Sequence, residues 1–571
     1  MAGLLNIGLT GLNAAQAQLS TVSHNITNAD RQGYHRQTVG QSYQNPMFVG
    51  SGFFGQGTRI TDVSRSYNQH LETQVLQSDT RRAEYAAYNQ HVSQINNLLA
   101  DPDAGLAPLM ESFFAGVQEV ATNPTSVASR QALISNAQSL VSGFQSIDQR
   151  LSEVRQGIEG ELVLTVDGIN NYATQIADIN KRIVLAQSGS TAVPNDLLDQ
   201  RNLLVGELNT LVKTSVVAES DGSLTVFIGS GQSLVQGGTA ARFAAVPSAT
   251  DPLRNTVALL RPDGSGVPLP ENLLTGGKLG GLLSVRSGSL DATQNRLNDI
   301  ASTLANDFNN QHRLGVDLNG DLGGAFFKMA PASTVPREFI AGLSVSISDP
   351  RQVAVANPVV TAAAAANTGS AKVSEVRINS TTGMASPGPQ VGFAPISIGY
   401  DGAGNLVAPA GFTLSPSAFD PVVDNTGKTF TLTGTTAPET FEFSFKLAGV
   451  PNTDDSFTFS PNTAGVADNR NALQLAALQT TKTMAGNKAT YQSSYAQMVS
   501  EVGNQTREAR VNEAAQTALL NQSKDAREGV SGVNLDEEAA NLIRFQQAYQ
   551  ASARVMSIAQ TLFDEVLSFA R

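Results

Sequence analysis

The sequence predicts a multidomain α + β protein with a terminal α-helical coiled coil, a long-helix bundle domain and inserted all-β domains. Three observations predict it. Apolar residues recur every seventh position at both chain ends, and a near-heptad seam runs unbroken from about Thr125 to Gln187. Between Pro331 and Thr463 the sequence turns rich in Gly, Pro, Ser and Thr, and apolar residues alternate with polar ones.

The chain begins "MAGLLNIGLTGLNAAQAQLSTVSHNITNA", with no Asp, Glu, Lys or Arg before Asp30. Leu5, Leu12, Leu19 and Ile26, with Ala15 and Val22, form an apolar stripe on one helix face, while Asn, Gln, Ser and Thr fill the other. A secretory signal would start with basic residues and keep an unbroken apolar run, which Asn6 and Thr10 interrupt. A membrane span would bury the amides of Asn6, Asn13, Gln16 and Gln18 at high cost. The helix therefore suits burial against other protein.

"DRQGYHRQ" breaks the helix at Gly33, and Pro46, Gly50, Gly52, Gly55 and Gly57 punctuate an extended arm reaching Ser66. Tyr85, Tyr88, Val92, Ile95 and Leu99 then form a helical seam stopped by Asp101 and Pro102, and Leu106, Leu109, Phe113, Val117 and Val120 form a second, closed by Pro124. The third helix would reach about 90 Å at 1.5 Å per residue, with kinks expected at Gly157, Gly160 and Gly168. Asn195 is the expected N-cap of the next helix. Asp221-Gly222 then joins two strand-like runs as a hairpin turn. Helical spacing returns from Leu282 to His312, and again from Leu473 after the β insertion, pausing at "REGVSG".

The last helix answers the first. Leu535, Leu542, Tyr549, Met556 and Phe563 are seven apart, with Phe545, Ala559 and Val566 in a companion row and Ala548, Val555, Leu562 and Phe569 beside them. Asn534 and Glu537 resemble a capping box, and the acidic run through Glu538 reads as helix-start electrostatics. The stripe is too wide for one partner helix. The expected domains are 1-66 (axial helix and arm), 67-213 (bundle), 214-278 (small β insertion), 279-330 (return helix), 331-467 (outer β insertion), 468-528 (bundle) and 529-571 (axial helix).

Of the 571 residues only 15% are charged, against ~25% in an average soluble protein, which favours packing against copies of the same chain. A net charge of -12 disfavours nucleic acid, and no basic amphipathic helix points to a membrane surface. Without cysteine there is no disulfide, thiolate nucleophile or Cys-ligated metal.

No residue is expected to be catalytic, to ligate a metal or to hold a cofactor. "GSGFFG" lacks the βαβ surroundings of a dinucleotide site and reads as turn glycines. His24, His35, His70, His91 and His312 share no metal-ligand spacing. "DLNGD" has Leu322 and Lys328 where a calcium loop needs Gly and Glu, so it reads as a turn. Glu537 and Glu538 are adjacent and cannot face each other as an acid-base pair.

"GLNAAQAQLSTVSHNITNADRQGYHRQ" resembles the N-terminal signature of the bacterial flagellar rod, hook and hook-associated axial proteins, at Gly11, Leu12, Ala14, Gln16, Leu19, Ser23, Asn25, Ile26, Asn28, Gly33 and Tyr34. "SGVNLDEEAANLIRFQQAYQASARVMSIAQTLFDEVL" is similar to its C-terminal counterpart at Val533, Asn534, Leu535, Glu537, Gln547, Ala548, Tyr549 and Ala551. Arg36, Gln37 and the long helical middle resemble the members at the junction of hook and filament. The resemblance implies a structural adaptor in the extracellular flagellum, exported through the flagellar type III channel without a cleaved signal, possessing no enzymatic activity. It implies as partners copies of itself in a ring, the hook protein on one side, a second junction protein or flagellin on the other, and an export chaperone. The expected assembly contacts are Leu5, Leu12, Leu19, Asn25, Ile26, Asn28, Leu535, Leu542, Phe545, Tyr549, Met556 and Phe563. The alternatives are another axial part, hook or distal rod, and an exported adhesin whose β insertion binds glycans.

Overall fold

The computed structural model describes residues 2–48, 50, 52–101, 105–188, 192–229, 231–329, 338–384, 390–437, 439–463 and 465–569. The expected helix stop at Pro102, the start of the β insertion at Pro331 and the side chain of Phe569 lie outside the described residues. Its helices are α1 (Ala2–Thr27), α2 (Gln69–Leu99), α3 (Leu106–Thr122), α4 (Val127–Ser188), α5 (Asn195–Leu211), α6 (Gly277–Val285), α7 (Asp291–His312), α8 (Glu338–Gly342), α9 (Arg470–Ala477), α10 (Tyr491–Ser531) and α11 (Leu535–Phe569). The arm carries β1 (Gln37–Tyr43), β2 (Met47–Phe48), β3 (Phe53–Phe54) and β4 (Thr58–Arg65). The chain forms two compact units: Met1–Ser93, Arg155–Gly288 and Gln505–Arg571 make the first, Gln94–Val154 and Ser289–Asn504 the second.

In the first unit β1 and β4 form an antiparallel ladder, Gln37 opposite Arg65 and Tyr43 opposite Thr58, with a bulge at Gly40/Gln41. Beyond it, β2 and β3 pair Met47 with Phe54 and Phe48 with Phe53. The expected hairpin forms between Thr214–Ala218 and Leu224–Ile228, and Gly222 takes the positive φ (+82°) its turn needs. Asn180 of α4 holds this small sheet: its amide donates to Leu224 O and Gly237 O, both at 2.8 Å, and accepts from Leu224 N.

The second unit has two cores. Phe113 and Phe114 of α3 meet Phe308 of α7, Phe326, Phe327 and Tyr491 in a cluster of tilted and edge-on rings. The other core lies within two four-stranded antiparallel sheets. One contains Val359–Ala363, Ser456–Pro461, Ile396–Tyr400 and Leu406–Val407; the other contains Lys372–Ser380, Glu442–Ala448, Lys428–Gly434 and Phe412–Ser415. Alternation turns Phe443, Phe445 and Leu447 inward with Phe430, Leu432, Phe457 and Phe459, all buried.

Helix α4 continues through Gly157, Gly160 and Gly168, because a glycine costs about 1 kcal/mol there, too little to end a helix with a buried seam. Other local expectations differ from the structure. Pro194 occupies the N-cap of α5, and Asn195 is its first, buried residue, whose amide is spent on Val63 O and Gln37 instead. "REGVS" belongs to α10, so the pause before the last helix falls at Gly532–Asn534. The stretch from Leu473 is not continuously helical, because α9 ends at Ala477 and α10 begins at Tyr491. Helical spacing from Leu282 to His312 contains a π turn, Arg286–Leu290. There the buried Arg286 guanidinium donates to Glu159 (2.7 Å), Glu271 (2.6 Å) and Asn255 O (2.8 Å).

Candidate assembly interface

Helices α1 and α11 run antiparallel in the first unit, with Gly8 facing Met556, Gly11 facing Ser552 and Asn25 facing Glu538. The glycines let the backbones approach closely. A Cβ on Gly8 would sit 2.7 Å from Met556 Cγ, and one on Gly11 2.9 Å from Ser552 Oγ.

At one end of the pair lies a buried polar joint centred on Asn25. Its Nδ2 donates to Gln37 O (2.9 Å) and Glu538 Oε2 (3.1 Å), and its Oδ1 accepts from Gln37 N (3.0 Å) and Tyr34 Oη (2.7 Å). Every hydrogen-bonding position of the amide is thus used. Glu538 is also buried, and its Oε1 accepts from both Nε and Nη2 of Arg36 at 2.8 Å. Arg36 N donates to Ser531 O, closing the arm onto the segment before α11. Asn534 Oδ1 accepts from the backbone of Asp536 and Glu537, which caps that helix as its sequence implies.

A second carboxylate anchors the arm to α5. Asp199 accepts from His35 N (3.0 Å) and Arg65 Nη1 (2.6 Å) and pairs with His35 Nδ1 (2.8 Å). Asp196 accepts from Gln37 Nε2 (2.9 Å). Burial, with Asp196, Asp199 and Glu538 nearby, pushes the Tyr34 phenol well above its ordinary range, so it stays a neutral donor. The network ties the arm to α1, to α5 and to the segment before α11.

Away from the joint the pair changes character. Ala14, Ala15, Val22 and Ala559 are buried, and Leu5, Leu12, Leu19, Ile26, Asn28, Leu542, Phe545 and Met556 are half-buried. Leu535, Tyr549 and Phe563 stay exposed. Phe545 and Val22 border a cleft of about 200 Å³ with Gln18, Thr38 and Arg544. The expected residues thus split into the buried Asn25, an inner row where the helices meet, and an outer row facing solvent.

The heptad pattern missed further outer residues: Leu4, Ile7, Leu9, Ile543 and Ile558 are exposed beside Val555, Leu562 and Val566. It also missed Glu538 as a buried ion-pair partner, and His35, Arg65, Asp196 and Asp199 altogether. A seven-residue spacing marks one face of a helix, whereas a helix buried on two sides carries a second. The Glu538 carboxylate adjoins an acidic neighbour, Glu537, that is exposed, and only their opposite burial separates their roles.

Among the described residues no group of three or more His, Asp or Glu side chains could hold a metal, and no helix is long and apolar enough to cross a membrane. Gly50 and Gly52 adopt positive φ between β2 and β3, as turn glycines would. Asp317 accepts from the backbone of Asn319 and Asp321, closing a turn at "DLNGD".

Comparison with known proteins places these features in context. Residues 92–327 match the model "Flagellar hook-associated protein FlgK helical domain". Residues 5–35 match "Flagella basal body rod protein", and 529–569 match "Flagellar basal body rod FlgEFG protein C-terminal". The chain is 34% identical to flagellar hook-associated protein 1 of Escherichia coli (strain K12) and to that of Salmonella typhimurium (strain LT2), with 100% of each chain covered in both comparisons. The solved structure of the flagellar hook junction protein FlgK from Burkholderia pseudomallei is similar to it with a TM-score of 0.71 at 29% identity, over 80% of this chain and 100% of that one.

Proposed function

The chain belongs to the flagellar hook-associated protein 1 family, and from that premise we propose how it serves as a structural component of the flagellum at the hook-filament junction. Residues 1-66 and 529-571 form its axial part, and neighbouring copies close around the outer face of the α1–α11 pair in a ring. One end of the ring meets the hook protein and the other a second junction protein or flagellin. An export chaperone shields the exposed ends before passage through the flagellar type III channel. The role is mechanical and uses no catalytic group.

One observation carries this reading: the polar joint of the end helices is saturated within a single chain, while the apolar residues beyond it are left in solvent. Burying a Leu, Ile or Phe fully is worth about 1.5–3 kcal/mol. Covering the exposed Leu4, Ile7, Leu9, Ile543, Ile558, Leu562 and Phe563 would therefore favour assembly. The full-length likeness to hook-associated protein 1 favours the junction over a hook or distal-rod place.

Imaging cells that lack the chain tests the reading. Hooks without filaments, with flagellin lost to the medium, are expected; normal filaments would overturn it.

A further inference from the structure

Between Gln37 and Thr58 the sequence contains no Asp, Glu, Lys, Arg or His. Within this stretch the β2–β3 hairpin exposes Met47, Phe48, Phe53 and Phe54 to between 56% and 74%, and Tyr43 at the end of β1 to 80%. Its internal packing includes the Phe48–Phe53 ring contact at 5.2 Å. A two-stranded hairpin is marginal in water, and such large exposed aromatics are unusual on a monomer's surface.

The base of the arm is nevertheless fixed. Gly57 has φ +95°, and a Cβ there would collide with Thr10 Oγ1 and lie 3.3 Å from Ile7 Cα. Thr58 N lies 3.4 Å from Thr10 Oγ1. The segment that returns from the hairpin thus meets α1 at Ile7 and Thr10, in the part of the helix that exposes Leu4, Ile7 and Leu9. A fixed base distinguishes the arm from a loose loop.

We propose that the β2–β3 hairpin, with Tyr43, docks onto a second copy of this chain, a contact that rests on the assembly reading above and names a separate element for it. Charge argues for the occupant. A stretch without ionisable side chains other than Tyr43 offers nothing to a charged partner or to anionic lipid headgroups, whose attraction needs Lys and Arg. The uncharged, apolar surface beside it on α1 is the complement that each additional copy supplies.

The test uses the full-length chain with the photoreactive residue p-benzoylphenylalanine in place of Phe53, or separately of Leu562, irradiated in intact flagella. From position 53 the expected product has twice the chain's mass and contains this chain alone by mass spectrometry. An adduct with a different protein or with lipid, or no adduct, overturns the hairpin contact. An adduct from position 562 without one from 53 removes this proposal and leaves the assembly reading standing; absence of both removes the two together. In addition, the triple variant Phe48→Ser, Phe53→Ser, Phe54→Ser is expected to keep the melting temperature of the monomer and to lose filament attachment. Unchanged attachment in that variant also overturns the proposal.

Discussion

The β-sandwich of the second unit and the α1–α11 pair of the first are both built on apolar periodicity, yet one is finished and the other is not. In the sandwich, alternate residues of Glu442–Ala448 point into a space closed by the facing sheet, and Phe443, Phe445 and Leu447 are all buried. In the helix pair α1 packs against α11, β1 and β4, but apolar residues lie on further sides, so Ile543, Ile558 and Phe563 remain in solvent. Apolar content alone therefore does not distinguish a core from an interface. What distinguishes them is whether the same chain supplies enough faces to cover every apolar row.

Charge placed on the helix pair should have the largest effect. The double variant Leu542→Asp, Tyr549→Asp is expected to keep the helical content of the monomer by circular dichroism while abolishing filament attachment and motility. Normal swimming would show that these rows are not needed for assembly. The sandwich should respond in the opposite sense: Phe443→Ala is expected to cost about 3–5 kcal/mol of monomer stability, measured by denaturant unfolding.

His312 is buried in the second unit, its Nδ1 donating to Gly324 O and its Nε2 accepting from Ala354 N, which only the neutral ring satisfies. Burial lowers its pKa from 6.5 to about 4. The unfolded chain therefore binds the extra proton first as pH falls, so the contribution of His312 to stability is complete above pH 6.5 and declines toward pH 4, by about 1.4 kcal/mol per unit and about 3 kcal/mol in all. Thermal unfolding of the wild type and of His312→Gln across this window checks it, the variant losing this part of the pH dependence.

Smaller effects belong to the joint and the helix crossing. Glu538→Ala leaves Arg36 and the Asn25 amide without their shared partner and is expected to cost about 1–3 kcal/mol, seen as faster hydrogen exchange at Gln37. Gly8→Val, which pushes against Met556, is expected to cost about 1 kcal/mol and to separate the two helices without unfolding either unit, read from exchange along α1.

Local pattern carries far in this chain. The seams of α3 and α4, the Asp221-Gly222 turn and the alternating Phe residues of the sandwich each rest on residues within a few positions of one another, where periodicity speaks directly. Asn25 was readable as a signature position, but its partner Glu538 lies at the other end of the chain, and no spacing rule connects them. Asn195 shows the same limit in reverse. Local preference makes it a helix cap, but its amide donates instead to the carbonyl of Val63 in β4, which is distant in sequence.

By itself, then, the sequence determined the kinds of element, the apolar rows and the uncharged character of the N-terminal helix and arm, because these follow from side-chain period and composition. The tertiary structure decided which rows are covered inside one chain, that Glu538 and not Glu537 is buried against Arg36, and that the arm holds its aromatic hairpin in solvent. Burial and pairing depend on which surfaces arrive from elsewhere in the fold. That information is nonlocal, and local spacing contains none of it.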